Sequence, residues 1–292
     1  MPSILITGTS GFLGTALARR LAADHEVIGL SRQPVDVATH NRTGAFHAFE
    51  DLRALDEFNI DTAIHLAATV GGCSEEDAIA VNVAGTRRLM RYLLDRGVRK
   101  FVMASSICAY GGLTTHNPPF IPRQLPMRPT DRYLGHDAYG LSKWLMEELV
   151  RDFSRACADA DFANVRIGAV FDERDAFPSP PTIDEIPTWA FVALGRVALT
   201  DVIDGLTTFA TAPHRPGERT VNLVGPDIAA HDPTVVTVQA FLKKCDADLD
   251  LSYYQQPGRE YASLYSMDET QRDFGFVPRI SVRPKQHEPV DR

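Results

Sequence analysis

Short apolar runs alternate with longer stretches in which apolar residues recur every three or four positions, from residue 2 to about residue 170. Ile4-Leu5-Ile6 is typical of the short runs. It is brief, β-branched and without a polar face, so it reads as a strand buried on both sides. The pattern predicts strands over 3–7, 26–31, 45–49, 62–66, 100–105 and 163–168. Between them it predicts helices over about 12–23, 52–57, 78–96 and 136–160. Strands alternating with helices in this way build an α/β fold around a doubly wound parallel sheet. Residues 111–134 hold many prolines and no period, and read as a loop over one edge of the sheet. The proline- and acid-rich stretch 172–187 leaves the sheet, and a strand-helix pair from Arg196 to Ala210 returns to it. Residues 226–284 carry short helices and turns, and 285–292 a tail.

Composition narrows the function classes. At 292 residues the chain suits one large domain or two intimately joined ones. A net charge of −8 disfavours nucleic-acid and anionic-membrane partners. No apolar run reaches membrane-spanning length, and the chain opens on a core strand. No signal peptide is therefore expected, and a cytoplasmic location is. Cys73, Cys108, Cys157 and Cys245 lack pairing or metal spacing and read as reduced thiols. The nine histidines form no ligand-spaced cluster, so no metal is expected.

The first strand runs into Thr7-Gly8-Thr9-Ser10-Gly11-Phe12-Leu13-Gly14 and then into a helical pattern. Strand, glycine-rich turn and helix is the context that a dinucleotide fingerprint requires. Gly8 permits the tight turn, Gly11 lets the backbone approach a pyrophosphate, and Gly14 allows close packing of helix on strand. The helix start offers free N–H groups and a positive dipole end to phosphates. Ser10, Phe12 and Leu13 share the turn and count among the cofactor-binding candidates. An acidic residue about twenty positions past the glycines usually grips the adenosine ribose. Here the second strand ends in Ser31-Arg32 instead. A hydroxyl and a guanidinium suit a 2′-phosphate better than a diol, which favours NADP over NAD. Alternatively Arg32 stacks over adenine or faces solvent. Asp51 and Leu52, at the end of the predicted third strand, are further candidates. Asp51 would meet the adenine amino group or cap the following helix.

Tyr139-Gly140-Leu141-Ser142-Lys143 opens the 136–160 helix. A spacing of four puts Tyr139 and Lys143 on one face, a turn apart. A free phenol has a pKa of about 10, too high for proton exchange near neutrality. A neighbouring ammonium favours the phenolate and brings that value down. The structural alternative is an aromatic and a cation on a solvated helix.

Together with these motifs, several segments resemble the extended branch of the short-chain dehydrogenase/reductase family, its nucleotide-sugar epimerase/dehydratase group. The turn has that branch's G-x-x-G-x-x-G spacing, and His65-Leu66-Ala67-Ala68 is similar to its H-L-A-A strand end. Val81-Asn82-Val83-Ala84-Gly85-Thr86 resembles its V-N-x-x-G-T helix, and Ser105-Ser106 to Tyr110-Gly111 its S-S-x-x-x-Y-G segment. Leu199-Thr200-Asp201-Val202 and Phe274-Gly275-Phe276-Val277-Pro278 match later landmarks in order.

The resemblance implies a Rossmann-type dinucleotide-binding domain over 1–170, with 196–225 returning to it. It implies a smaller substrate lid from 171–195 and 226–284. By position Ser106 becomes the catalytic serine, holding the substrate's reacting oxygen near Tyr139. Tyr139 exchanges the proton, and Lys143 lowers its pKa and bonds the nicotinamide ribose. Leu66, Ala67 and Ala68 would flank the cofactor. Asn82 joins the cofactor set or, like His65, holds helix and strand beside it. The implied function is reversible hydride transfer at a secondary alcohol or ketone of a sugar-like substrate, with epimerisation as the alternative outcome. A non-catalytic cofactor sensor on the same fold is a further, weaker alternative. Homodimer formation through the 78–96 and 136–160 helices is expected on the same ground. Ile107 and Cys108 stand where the family's dehydratases carry an Asp-Glu pair, which argues against water elimination. Ala169 replaces a common asparagine. Arg174, Arg215 and Arg219 are isolated candidates for a substrate diphosphate.

Overall fold

A computed structural model of the chain describes residues 2–70, 72–112, 120–175 and 190–283. The expected tail, and most of the 172–187 stretch, lie outside the described residues.

Strands β1 (Ser3–Thr7), β2 (Glu26–Ser31), β3 (His40–Thr43), β4 (Thr62–His65), β5 (Lys100–Ser106), β6 (Asp161–Ile167) and β9 (Gly217–Leu223) form one sheet in the order β3-β2-β1-β4-β5-β6-β9. Every pairing in it is parallel. Successive strand residues point to opposite faces. Ile4 and Ile6 therefore join one apolar cluster with helix α1 (Phe12–Leu21) and helix α7 (Leu199–Thr211). Leu5 joins a second, with helix α4 (Thr86–Asp95) and helix α5 (Ala138–Ala156). This is the doubly wound α/β arrangement that continuous apolar strand runs require.

Strand β3 lies earlier than the expected 45–49. It pairs Ile28 with His40 and Ser31 with Thr43. As an edge strand it needs no apolar pattern. His40 meets Glu26 at 3.0 Å, and Arg42 reaches Glu57 at 2.7 Å. The apolar residues that suggested a strand serve otherwise: Phe46 is buried against His65, at 4.7 Å between ring centroids, and Phe49 opens the short helix α2 (Phe49–Leu52). The expected 52–57 helix is thus this turn followed by a 3₁₀ turn, Arg53–Leu55. The expected 78–96 helix is two pieces, a π-helical segment Ala78–Gly85 and α4, and it is preceded by the short α3 (Glu75–Asp77).

The returning strand also differs. Strand β8 (Arg196–Ala198) pairs with β7 (Ala169–Phe171) in a separate two-stranded sheet, while α7 covers the main one. A third cluster gathers Ile107, Tyr110, Phe120, Met127, helix α6 (Ala190–Leu194), helix α8 (Thr234–Lys244) and Tyr265. The expected 226–284 lid divides. Its early part belongs to this third cluster. From Met267 on, helix α9 (Asp268–Phe274) and Phe276 pack back on the main sheet. Asp201, 1 % exposed in the first turn of α7, fastens that return. Its carboxylate accepts from Arg279 N–H at 3.1 Å and Ile280 N–H at 2.8 Å.

Losing that carboxylate strips two backbone donors of their partner. Asp201→Ala is expected to cost about 2 kcal/mol, read as a lower urea midpoint at unchanged slope. An unmoved midpoint would mean that the terminal segment is held by packing alone.

Candidate active site at the carboxyl edge of the sheet

The helix after β1 covers one face of the sheet and the helix after β4 the other. The two connections therefore part at the carboxyl ends of β1 and β4 and leave a crevice, the place where open α/β sheets bind ligands. A cavity of about 310 Å³ opens there. The glycine turn forms its floor. Gly8 has φ +82° and donates to Leu30 O at 2.7 Å. A Cβ on Gly14 would stand 2.1 Å from Gly8 O, so only glycine lets α1 start this close to the turn. Gly11 precedes the helix, and no side chain caps its first N–H groups. Uncapped N–H groups at a helix start suit a phosphate. The cradle fits a dinucleotide.

Gly8, Ser10, Gly11, Phe12, Leu13, Gly14, Ser31, Arg32, Leu66, Ala67 and Ala68 all line the cavity. Five expected cofactor residues do not: Tyr139 and Lys143, described below, and Asp51, Leu52 and Asn82. Asp51 turns its carboxylate to Ala45 N–H at 2.7 Å, and Leu52 is wholly buried in the cluster under α4 and α5. The early end of β3 is the cause: the wall that they were to build comes from Gly44, Phe46 and His47. The polar edge strand hid that shift from the hydrophobic pattern. Asn82 is 1 % exposed and fully engaged. Its Oδ1 accepts from Thr69 N–H at 2.8 Å, and its Nδ2 donates to Thr69 O at 2.8 Å and Ser142 Oγ at 2.9 Å. It ties the π-helical segment to the β4 loop and α5. Its neighbour Val81 faces the cavity in its place.

Ser106, Tyr139 and Lys143 come together at the end of β5, outside that lining but joined to it through Asn82, which bonds Thr69 of the wall and Ser142 of α5. Ser106 ends β5, and its Oγ accepts from Cys108 N–H at 3.1 Å to start a 3₁₀ turn, Ile107–Tyr110. Asp137 caps α5 by accepting from Gly140 N–H at 2.6 Å. A Cβ on Gly140 would lie 2.5 Å from Cys108 O, so glycine lets the helix start touch that turn. Lys143 Nζ is 5.7 Å from the Tyr139 ring centroid and donates to Ala104 O at 2.7 Å. Burial lowers Lys143 to about 8, while Cys108 and Glu147 act to raise it. Burial likewise raises the Tyr139 phenol, and the nearby Ser106 hydroxyl acts against the rise. Desolvation thus raises the phenol's pKa, against the lowering that the tyrosine-lysine spacing suggests. At neutral pH the Tyr139 phenol carries its proton.

His65 is a neutral strut. Its Nδ1 lies 2.7 Å from Thr7 Oγ1 and its Nε2 3.0 Å from Thr86 Oγ1. Thr7 Oγ1 also accepts from Ala67 N–H at 3.2 Å, so the imidazole is held between two hydroxyls with both ring nitrogens engaged. Burial and the nearby Lys143 hold His65 down at about 3. The arginines proposed for a diphosphate are spoken for: Arg174 pairs with Asp172, Arg215 with Asp273 and Arg219 with Asp161. Cys108 is pushed up to about 12 by burial, unlike the carboxylate of a dehydrating site.

A family model described as the NAD dependent epimerase/dehydratase family matches residues 4–183. The chain belongs to this family. Among its curated relatives is N-acetyl-alpha-D-glucosaminyl-diphospho-ditrans,octacis-undecaprenol 4-epimerase of Escherichia coli O157:H7, 29% identical over 178 residues, covering 59% of this chain and 50% of that one. Another is D-erythronate dehydrogenase of Cupriavidus necator, 29% identical over 174 residues, covering 52% and 51%. The chain spans about half the length of the curated relatives it matches. A short-chain dehydrogenase/reductase superfamily protein from Agrobacterium tumefaciens, solved with bound NAD, shares the fold at a TM-score of 0.70 and 22% identity over 96% of this chain and 93% of that one. No described helix is long and apolar enough to cross a membrane.

Two outcomes follow from the geometry. A Cβ at Gly14 meets immovable backbone, whereas one at Gly11 stands 3.2 Å from its nearest neighbour. Gly14→Ala is therefore expected to lose about 1–3 kcal/mol by overpacking, and Gly11→Ala clearly less; equal melting temperatures would disprove the cradle. His65 binds its proton in the unfolded chain near pH 6.5 but in the folded chain only near 3. Between those values the unfolded state holds more protons, so stability falls as pH drops from 6.5 toward 3. His65→Asn, though less stable at pH 7, should lose less over that window in parallel unfolding titrations.

Proposed function

We propose that this chain is an NAD(P)-dependent enzyme that moves a hydride reversibly at a secondary alcohol or ketone of a sugar-like substrate. The observation that carries this is the meeting of Ser106, Tyr139 and Lys143 at the end of β5, joined through Asn82 to a crevice floored by the glycine cradle. The cradle and the start of α1 would hold the pyrophosphate, and Lys143 a ribose hydroxyl. When bound, the nicotinamide supplies hydride acceptance and donation. Ser106 orients the reacting oxygen, and Tyr139 gives or takes its proton. Lys143 is buried and Tyr139 half-buried, which limits the water that reaches that exchange. The third apolar cluster, around α6, α8 and Tyr265, forms the substrate side of the site, and Tyr139 packs against it.

The phosphorylated dinucleotide is the favoured cofactor. Ser31 and Arg32 line the crevice at the end of β2, where no carboxylate stands among the described lining residues. Epimerisation is the second reading, favoured by the similarity to a sugar 4-epimerase. In that outcome the same groups return the hydride to the other face of the carbonyl. Self-association through α4 and α5 is part of the proposal, and sedimentation velocity tests it directly.

Titration with NADPH and NADH, followed by melting temperature, tests the cofactor. NADPH is expected to give the larger rise, and a larger rise with NADH would reverse the assignment of Arg32. Neutral sugars, sugar acids and nucleotide sugars are then screened for a further rise and for cofactor turnover. Tyr139→Phe should keep the dinucleotide shift and lose turnover by roughly 10²–10⁴-fold. Wild-type turnover in that variant would remove Tyr139 from the chemistry.

A further inference from the structure

Tyr139, Lys143 and Glu147 stand four apart on α5, in one file along the face that meets β5 and β6. Glu147 is wholly buried, where a carboxylate is tolerated only if its charge is met. Three close donors meet it: Ser105 Oγ at 2.6 Å, Arg166 Nε at 2.8 Å and Arg166 Nη2 at 2.7 Å. Arg151 Nη2 adds a longer contact at 3.4 Å. Arg166, 1 % exposed on β6, lies over the Tyr110 ring at 4.2 Å and donates to Asp131 O at 3.3 Å. Stability alone does not call for such a pair, because apolar side chains of like volume often serve as well or better.

Its place in the fold supplies the reason. Lys143 Nζ reaches Ala104 O, and Glu147, one turn further on, takes the hydroxyl of Ser105. Two successive turns of α5 thus grip two successive residues of β5, and the next residue is Ser106. A slip of the helix along the strand breaks both contacts together. Glu147 also acts to keep Lys143 charged against the burial that lowers it. The other titratable groups facing Lys143 are Cys108 from the 3₁₀ turn, His65 from β4 and Tyr139 on α5 itself.

We propose that Glu147, clamped by Ser105 and Arg166, is a positioning residue that fixes Lys143 in register with Ser106 and supplies the negative charge opposite its ammonium. The inference rests on the role given above to Ser106, Tyr139 and Lys143.

The test is an NMR pH titration of ¹³C-labelled lysine in the full chain, with Lys143→Met to assign the signal. In Glu147→Gln the Lys143 midpoint is expected to fall by about one pH unit or more. Glu147→Gln with Arg166→Met leaves no unpaired guanidinium, guards against misfolding, and should move the midpoint the same way. Ser105→Ala removes a hydrogen bond but no charge and should leave it in place. An unmoved midpoint in a folded carboxylate variant overturns the proposal. So does failure of both variants to fold, since the pair would then be a requirement of the fold alone. Dinucleotide melting shifts on wild-type protein keep the two ideas apart: their absence refutes the proposed function, whatever the lysine does.

Discussion

The structure turns on how closely α5 is seated on the end of β5. Gly140 lets the helix start touch the turn after Ser106, Lys143 bonds the carbonyl of Ala104, and Glu147 takes the hydroxyl of Ser105. Each contact needs a small or buried polar group at a fixed helical interval. Together they bring a hydroxyl, a phenol and an ammonium to one edge of the sheet. The same seating buries those groups, and burial then governs their protonation: Lys143 is held low and Tyr139 high.

The opposite wall of the crevice obeys a steric constraint instead. Gly8 abuts Ala67, where a Cβ would lie 2.9 Å from the Ala67 nitrogen, and Gly14 abuts Gly8. Turn, strand end and helix start are thus packed backbone to backbone. His65 braces this wall from behind by joining β1 to α4 through two threonine hydroxyls. The two walls are linked as well, since Asn82 bonds both the Thr69 loop and Ser142 of α5.

The central strands were legible because their signal is local. A parallel strand buried on both faces must be apolar throughout, and β1, β2, β4 and β5 are close to that. The glycine turn was legible for the same reason, as a backbone conformation that few residues allow. The edges of the sheet were not. Strand β3 is polar along its length, and β9 opens with Gly217-Glu218-Arg219, so neither has the core's pattern. Misplacing β3 carried Asp51 and Leu52 into the expected site and left Phe46 and His47 out of it. The interrupted helix before α4 was hidden too, because the same residues suit either winding.

By itself the sequence determined the fold class, the glycine cradle and the tyrosine-lysine pair, since each follows from residue type at short spacing. Tertiary structure alone decided how those groups are charged and what surrounds them. Burial of Tyr139 depends on a cluster built from residues as distant as Tyr265, and Glu147 finds Arg166 only once β6 lies beside β5. Desolvation and ion pairing depend on neighbours in space, and spacing along a chain does not record them.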